Sequence, residues 1–257
     1  MSSVPKYGPI DYIKTRLTSV FNNNITNQSY STAIDPKNIK VVMIGECAVG
    51  KSSVVARLVF DKFILDRTST VGGAFSALII EHNNSKYKFQ IWDTAGQEKY
   101  RSLVPMYVKK SNIVFLVFDI TNYNTFSQIK NYWHSYVTDL EPNTMTVLIG
   151  NKADLEKTRQ VKHKEVYEYA NSIGIPYIEC SAKNNMGISE LIKAMLLISE
   201  QIIREEETKH KIYSEKHPEK YNYYVDHDIN NDTYGSVILL SNPHNDQPKC
   251  YDGVCSD

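Results

Sequence analysis

The sequence predicts an α/β fold, a mainly parallel sheet covered by helices, with ligands held at the carboxyl ends of the strands. Three observations predict it. The string Gly45-Glu46-Cys47-Ala48-Val49-Gly50-Lys51-Ser52 stands between a short apolar run, residues 39–44, and a helical pattern over 53–60. Strand and helix patterns then alternate from Ile39 to about Ile203. Residues 113–118, Ile-Val-Phe-Leu-Val-Phe, form a continuous apolar run, as a strand buried on both faces requires.

In chain order, residues 1–38 read as a polar N-terminal arm with little to bury. Within it Ile10, Ile13, Leu17, Val20 and Phe21 share one helical face, a pattern compatible with a surface helix that meets a membrane or a partner. Residues 75–81 and 87–92 read as strands around an Asn83-Asn84 turn, which predicts a hairpin. Residues 146–149 and 176–178 are shorter strands, and helical stretches fall near 98–110, 125–139, 163–172 and 187–204. Residues 39–203 therefore form the predicted domain. From 204 to 257 the chain turns acidic and loses its periodicity, which predicts a disordered tail with one apolar island, Val237-Ile238-Leu239-Leu240.

Composition narrows the function classes. Lys and Arg number 29 against 29 Asp and Glu, so nothing favours a nucleic-acid partner. The four cysteines, at 47, 180, 250 and 255, match neither a zinc spacing nor a secreted disulfide framework. The sequence shows no signal-peptide pattern and no apolar stretch near the ~18 residues of a membrane span. The expected place is the cytoplasm, with any membrane contact made through modification or a partner.

The glycine-bounded string has a specific physics. Gly45 and Gly50 let the backbone curl so that the N–H groups of Glu46, Cys47, Ala48, Val49, Gly50, Lys51, Ser52 and Ser53 can face one anion. The helix N-terminus adds partial positive charge. Lys51 can reach β- and γ-phosphates, and the Ser52 hydroxyl is placed to ligate Mg²⁺.

A phosphate cradle alone leaves kinases, ATPases and GTPases open; three further motifs narrow the choice. In Asp93-Thr94-Ala95-Gly96-Gln97, after a strand, Asp93 can hold the magnesium and the Gly96 N–H can meet a γ-phosphate. Gln97 can orient an attacking water. In Asn151-Lys152-Ala153-Asp154 the Asp154 carboxylate can accept two N–H bonds from guanine, a donor pair that adenine lacks. The Lys152 stem can lie along the base. In Ser181-Ala182-Lys183 a backbone N–H can meet the guanine oxygen. An ATP-dependent reading requires adenine, which Asp154 opposes. A nucleotide-holding scaffold that rarely hydrolyses is the other alternative, and the presence of Gln97 speaks against it.

From Ile39 to Ile203 the chain resembles a small GTPase of the Ras superfamily, and specifically a Rab. The strings that carry the resemblance are Trp92-Asp93-Thr94-Ala95-Gly96-Gln97-Glu98 and Gly150-Asn151-Lys152-Ala153-Asp154-Leu155. Ser69-Thr70-Val71-Gly72-Gly73-Ala74-Phe75 and Pro105-Met106-Tyr107 are most similar to the early-endosomal branch. The resemblance implies the small-GTPase P-loop fold, with six strands and helices on both faces. It implies a GTP-dependent switch of vesicular traffic, with Mg²⁺ beside GTP or GDP and a slow intrinsic hydrolysis accelerated by a partner. Thr70 would then bind Mg²⁺ only with the γ-phosphate present, and Phe63 would pack beside the guanine. Phe75, Trp92 and Tyr107 would form the aromatic surface on which effectors dock. Expected partners are an exchange factor, a GTPase-activating protein, effectors, Rab escort protein and GDP-dissociation inhibitor, at the cytosolic face of endosomal membranes.

The chain departs from the family pattern in places. Cys47 stands where many Rabs have serine, and its thiol beside a helix N-terminus is a candidate for selective reactivity. Val108-Lys109-Lys110-Ser111 departs from the usual residues after Tyr107. The chain has no terminal pair of neighbouring cysteines and no CaaX box, so Cys255 and Cys250 are the candidate lipidation sites.

Overall fold

The computed structural model describes residues 36–65 and 69–216. The amphipathic segment around Ile10–Phe21, the apolar island at 237–240 and Cys250 and Cys255 lie outside the described residues. The chain divides into two units, Met1–Glu207 and Thr208–Asp257, and the sheet belongs to the first.

Six strands line up in the order β2-β3-β1-β4-β5-β6. They are β1 (Lys37–Ile44), β2 (Gly73–His82), β3 (Ser85–Thr94), β4 (Ile113–Asp119), β5 (Met145–Asn151) and β6 (Tyr177–Glu179). Only β2 and β3 pair antiparallel; every other pairing is parallel. The predicted hairpin is present. Asn83 and Asn84 both take positive φ, 49° and 58°, the geometry a two-residue turn needs between twisted strands. β2 runs longer than the apolar pattern alone suggests, because it lies at the sheet edge and leaves all ten of its residues partly or fully exposed.

The helices are α1 (Lys51–Phe60), α2 (Val104–Val108), α3 (Tyr123–Gln128), α4 (His134–Leu140), α5 (His163–Ile173) and α6 (Ile188–Lys216). Side-chain alternation along the strands builds two cores. Val41, Met43, Phe115 and Val117 face one side, where Val54 and Leu58 of α1 and Leu191, Met195 and Ile198 of α6 cover them. Val42, Ile44, Leu116 and Phe118 face the other, under Val104, Phe126, Val137 and Val166 of α2 to α5. Every residue of β4 is buried, as its uninterrupted apolar run requires.

Three features differ from the sequence pattern. The stretch near 98–110 is a 3₁₀ helix, Glu98–Leu103, followed by α2, which opens with Pro105 in its first turn. The stretch near 125–139 contains a π-helical turn, Ile129–Trp133, between α3 and α4. The last helix does not stop near 204 but runs to Lys216, so the start of the expected disordered tail is helical. That extension has little apolar stripe to reveal it. Side-chain pairs one turn apart, Arg204 with Glu200 and Gln201 with Glu205, carry the helix past Ile203 instead.

Candidate functional site

The loops at the carboxyl ends of β1, β3 and β5, with the loop after β6, converge on one cleft of about 430 Å³. That volume suits a ligand of nucleotide size. Cys47, Ala48, Gly50, Lys51, Ser52, Ser53, Phe63, Thr70, Gly96, Gln97, Asn151, Lys152, Asp154, Ala182 and Lys183 all line it. Four residues of the sequence reading do not. Val49 and Ser181 are fully buried behind the wall, Asp93 is buried, and Glu46 is half-buried with its side chain occupied elsewhere.

The phosphate-binding loop is held from below and from the side. Gly45 has φ 149°, and a Cβ there would lie 2.1 Å from the Val117 carbonyl oxygen. A Cβ on Gly50, at φ 93°, would lie 2.3 Å from Asn151 Nδ2. Both glycines are required by close approach as well as by backbone conformation. Asn151 uses that approach: its amide donates to the Val49 carbonyl at 2.8 Å, while its Oδ1 accepts from the Ala182 N–H at 3.4 Å. One side chain therefore joins the phosphate loop to the loop after β6.

Lys51 is buried, and its ammonium donates to the carbonyls of Gly45 at 2.7 Å and Glu46 at 2.8 Å. Burial pushes its pKa down to about 8, against the attraction of Asp93 and other nearby acidic groups. Ser52 Oγ and Thr70 Oγ1 meet at 2.9 Å. Ser52 lies in the first turn of α1 at the cleft wall, and Asp93 is the last residue but one of β3. Two hydroxyls and a carboxylate are hard oxygen donors of the kind Mg²⁺ takes, with room left for waters and phosphate oxygens. Among the described residues no group of three or more His, Cys, Asp or Glu could hold a metal, so a zinc-type site is absent there.

At the end of the cleft predicted to hold the base, Ser181 Oγ donates to Asp154 Oδ1 at 2.5 Å, fixing the carboxylate at the cleft edge. Lys152 sits at φ 67° and pairs with Asp119 Oδ2 at 2.6 Å. Asp119 in turn accepts from the Thr121 N–H and hydroxyl. Arg57 of α1 donates to the carbonyls of Ala182 at 2.8 Å and Lys183 at 3.1 Å. The sequence reading missed both Asp119 and Arg57. Asp119 had a usable signal, since it ends a buried strand as Asn151 does; Arg57, inside a helix, had none.

The aromatic trio is contiguous. Phe75 and Trp92 lie 5.2 Å apart between ring centres, and Trp92 and Tyr107 5.5 Å apart. Their exposures differ: Phe75 is 52% exposed and Tyr107 only 8%. Tyr107 packs behind the surface and joins the core under α2. Cys47 is exposed at the cleft.

Comparison with known proteins agrees with this fold. The model of the Ras family matches residues 40–201. The chain is similar to Ras-related protein Rab-22A of Homo sapiens, 41% identical over 155 residues, which are 60% of this chain and 80% of that protein. The same protein from Mus musculus is 40% identical, and from Canis lupus familiaris 41%, over the same spans.

Proposed function

The chain belongs to the Ras family, as a Rab small GTPase, and on that premise we propose which residues work its switch and at which membrane. As a Rab it binds GTP, hydrolyses it to GDP and phosphate, and regulates vesicular traffic. Ras-family GTPases use Mg²⁺ with the nucleotide, and their general partners are exchange factors, activating proteins and effectors.

The N–H groups from Glu46 to Ser53 cradle the phosphates, and Lys51, held by the carbonyls of Gly45 and Glu46, turns its remaining N–H to β- and γ-oxygens. Ser52, Thr70 and Asp93 would hold the Mg²⁺, which when bound would neutralise charge developing on the phosphoryl oxygens. Gln97, at the cleft wall beside Gly96, orients the attacking water. Asp154 reads the guanine ring N–H and amine, Lys152 and Phe63 flank the base, and the Ser181-Ala182-Lys183 loop meets its oxygen. The γ-phosphate orders the segments at Thr70 and Gly96, and hydrolysis releases them. Phe75 and Trp92, with Tyr107 behind them, present the effector surface.

The observation that carries this reading is the meeting of the Ser52 and Thr70 hydroxyls beside Lys51, because it joins the helix that holds phosphate to the segment that must sense it. Single-turnover GTP hydrolysis is the test, with Gln97→Leu as control. Slower hydrolysis in Gln97→Leu supports the assignment, and equal rates in the two proteins would overturn it.

The strings at 69–75 and 105–107 support the endosome as the membrane served. No helix among the described residues is long and apolar enough to cross a membrane. Attachment is assigned to prenylation at Cys255, with Cys250 as a second lipid site, through escort protein and GDP-dissociation inhibitor. One chain alone gives only marginal, reversible binding. The intact mass of the protein from its native cells tests this, an unmodified mass being the contrary outcome.

A further inference from the structure

Glu46 is a residue of the phosphate loop whose side chain does no phosphate work. Its Oε1 accepts from Arg101 Nη2 at 3.0 Å and from the Trp133 indole N–H at 2.9 Å. Its carbonyl oxygen accepts from Lys51. The same backbone is where Gly96 rests: a Cβ on Gly96 would lie 2.5 Å from the Glu46 carbonyl carbon and oxygen. Gly96 and Arg101 bracket Gln97. Arg101 lies in the 3₁₀ helix that opens directly after Gln97, and the Tyr100 N–H donates back to the Gln97 carbonyl at 3.0 Å. The segment carrying Gln97 is thus seated on one residue at two points, on its backbone before Gln97 and on its carboxylate after it.

The seat is rigid on its far side. Trp133 is almost fully buried and stands at the end of the π-helical turn, a local departure from α geometry at the point where the indole reaches the loop. The Arg101 guanidinium lies 5.3 Å from the ring centres of both Tyr132 and Trp133. A planar cation held by a carboxylate and laid against aromatic faces keeps its geometry better than a flexible ammonium does.

We infer that Glu46 and Arg101 are positioning residues for GTP hydrolysis: their ion pair, backed by Trp133, fixes the Gln97 segment against the phosphate loop. This rests on the role of Gln97 proposed above. The pair also neutralises a carboxylate that would otherwise stand unpaired beside a triphosphate. Small errors in the placement of a water-orienting group are costly in rate.

The test uses the full-length chain and follows single-turnover GTP hydrolysis and GDP release in parallel. Glu46→Gln and Arg101→Ala are each expected to slow hydrolysis about 5- to 10-fold, with GDP release in Arg101→Ala within about twofold of the parent. The double variant is expected to be no slower than the slower single one, and Arg101→Ala is expected to add nothing in a Gln97→Leu background. Parental hydrolysis in both single variants overturns the inference while leaving the function in place. So does an equal slowing by Arg101→Ala with or without Gln97, or a GDP release that accelerates in step with the loss of hydrolysis. Gln97→Leu hydrolysing at the parental rate removes the role of Gln97, and the inference with it.

Discussion

Ser52 Oγ and Thr70 Oγ1 lie 2.9 Å apart, so the first turn of α1 and the segment before β2 share one hydrogen bond at the cleft. Neither hydroxyl needs to travel far to turn its oxygen to a common cation. The two are not equivalent, because Ser52 stands on a helix and Thr70 on a loop. In the proposed switch, helical Ser52 would serve the cation in both nucleotide states, whereas Thr70 would join it only with the γ-phosphate.

Ser52→Ala is therefore expected to weaken GDP and GTP binding alike. It is also expected to abolish most of the acceleration of GDP release that EDTA produces in the parent. Thr70→Ala should leave the EDTA response of GDP release close to parental and lower only the preference for GTP. Release of a fluorescent GDP analogue with and without EDTA decides it. A full EDTA response in Ser52→Ala would remove Ser52 from the metal site.

Lys51 carries a pH dependence. Burial lowers its pKa from 10.5 to about 8, so the nucleotide-free fold gives up the proton near pH 8 while the unfolded chain keeps it to about 10.5. Between those values the unfolded state holds more protons, and stability of the nucleotide-free protein rises with pH. Phosphate oxyanions reverse the preference and draw the proton back. Nucleotide binding above pH 8 should therefore take up a proton, and affinity should fall by up to ~10-fold per pH unit. Titration calorimetry at pH 9, in buffers of different ionisation enthalpy, measures that uptake directly. Lys51→Arg, which stays charged, should show none. Zero uptake by the parent would contradict the role given to this ammonium.

Much of this was legible in the sequence, for a local reason. A parallel strand buried on both faces announces itself as an apolar run, and the chemistry of such sheets sits directly after the runs, so Lys51, Asp93, Asn151 and Asp154 could be placed by adjacency. Contacts between distant parts of the chain had no such signature. Nothing in the sequence joins Glu46 to Arg101 and Trp133, or Arg57 to Ala182, because each pair meets only after the sheet has formed. The helical residues after Ile203 were hidden because their helix is polar, and periodicity reads only apolar stripes. Tyr107 shared a surface motif with Phe75, yet burial differs across the trio. Sequence gives the order of aromatics and not their depth.

In the proposed reading, base selection would turn on Asp154 and the hydroxyl behind it. Ser181 Oγ donates to one carboxylate oxygen, which leaves the group fixed in orientation and still able to accept. ATP, lacking the donor pair, is expected to compete only at ~10⁴-fold higher concentration or more. Ser181→Ala should loosen the carboxylate and speed GDP release while keeping guanine preferred. Asp154→Ala should erase the preference itself. Competition of ATP and GTP for a fluorescent GDP analogue reads both, and comparable ATP and GTP potency in the parent would end the guanine assignment.

Arg57 is the residue through which the base-binding end should communicate with the chain leading to Phe63. Its Nε donates to the Ala182 carbonyl and its Nη2 to that of Lys183, while Nη1 reaches both the Asp61 carbonyl at 2.9 Å and carboxylate at 2.8 Å. Asp61 caps α1 at φ 49°, two residues before Phe63. One guanidinium therefore holds the guanine loop and the exit of α1 in a single geometry. The exposed Arg57–Asp61 ion pair adds little by itself. The bonds to two backbone carbonyls matter more, because they fix the loop at 182–183 where it lines the cleft. Arg57→Ala is expected to speed GDP release about tenfold, with single-turnover hydrolysis of bound GTP within about twofold of the parent. Arg57→Lys should recover only part of the loss, since an ammonium lacks the fork that spans Ala182, Lys183 and Asp61. Release and hydrolysis measured side by side separate the roles. A parental release rate in Arg57→Ala would mean that Asn151, through its own bond to the Ala182 N–H, is enough to hold the loop.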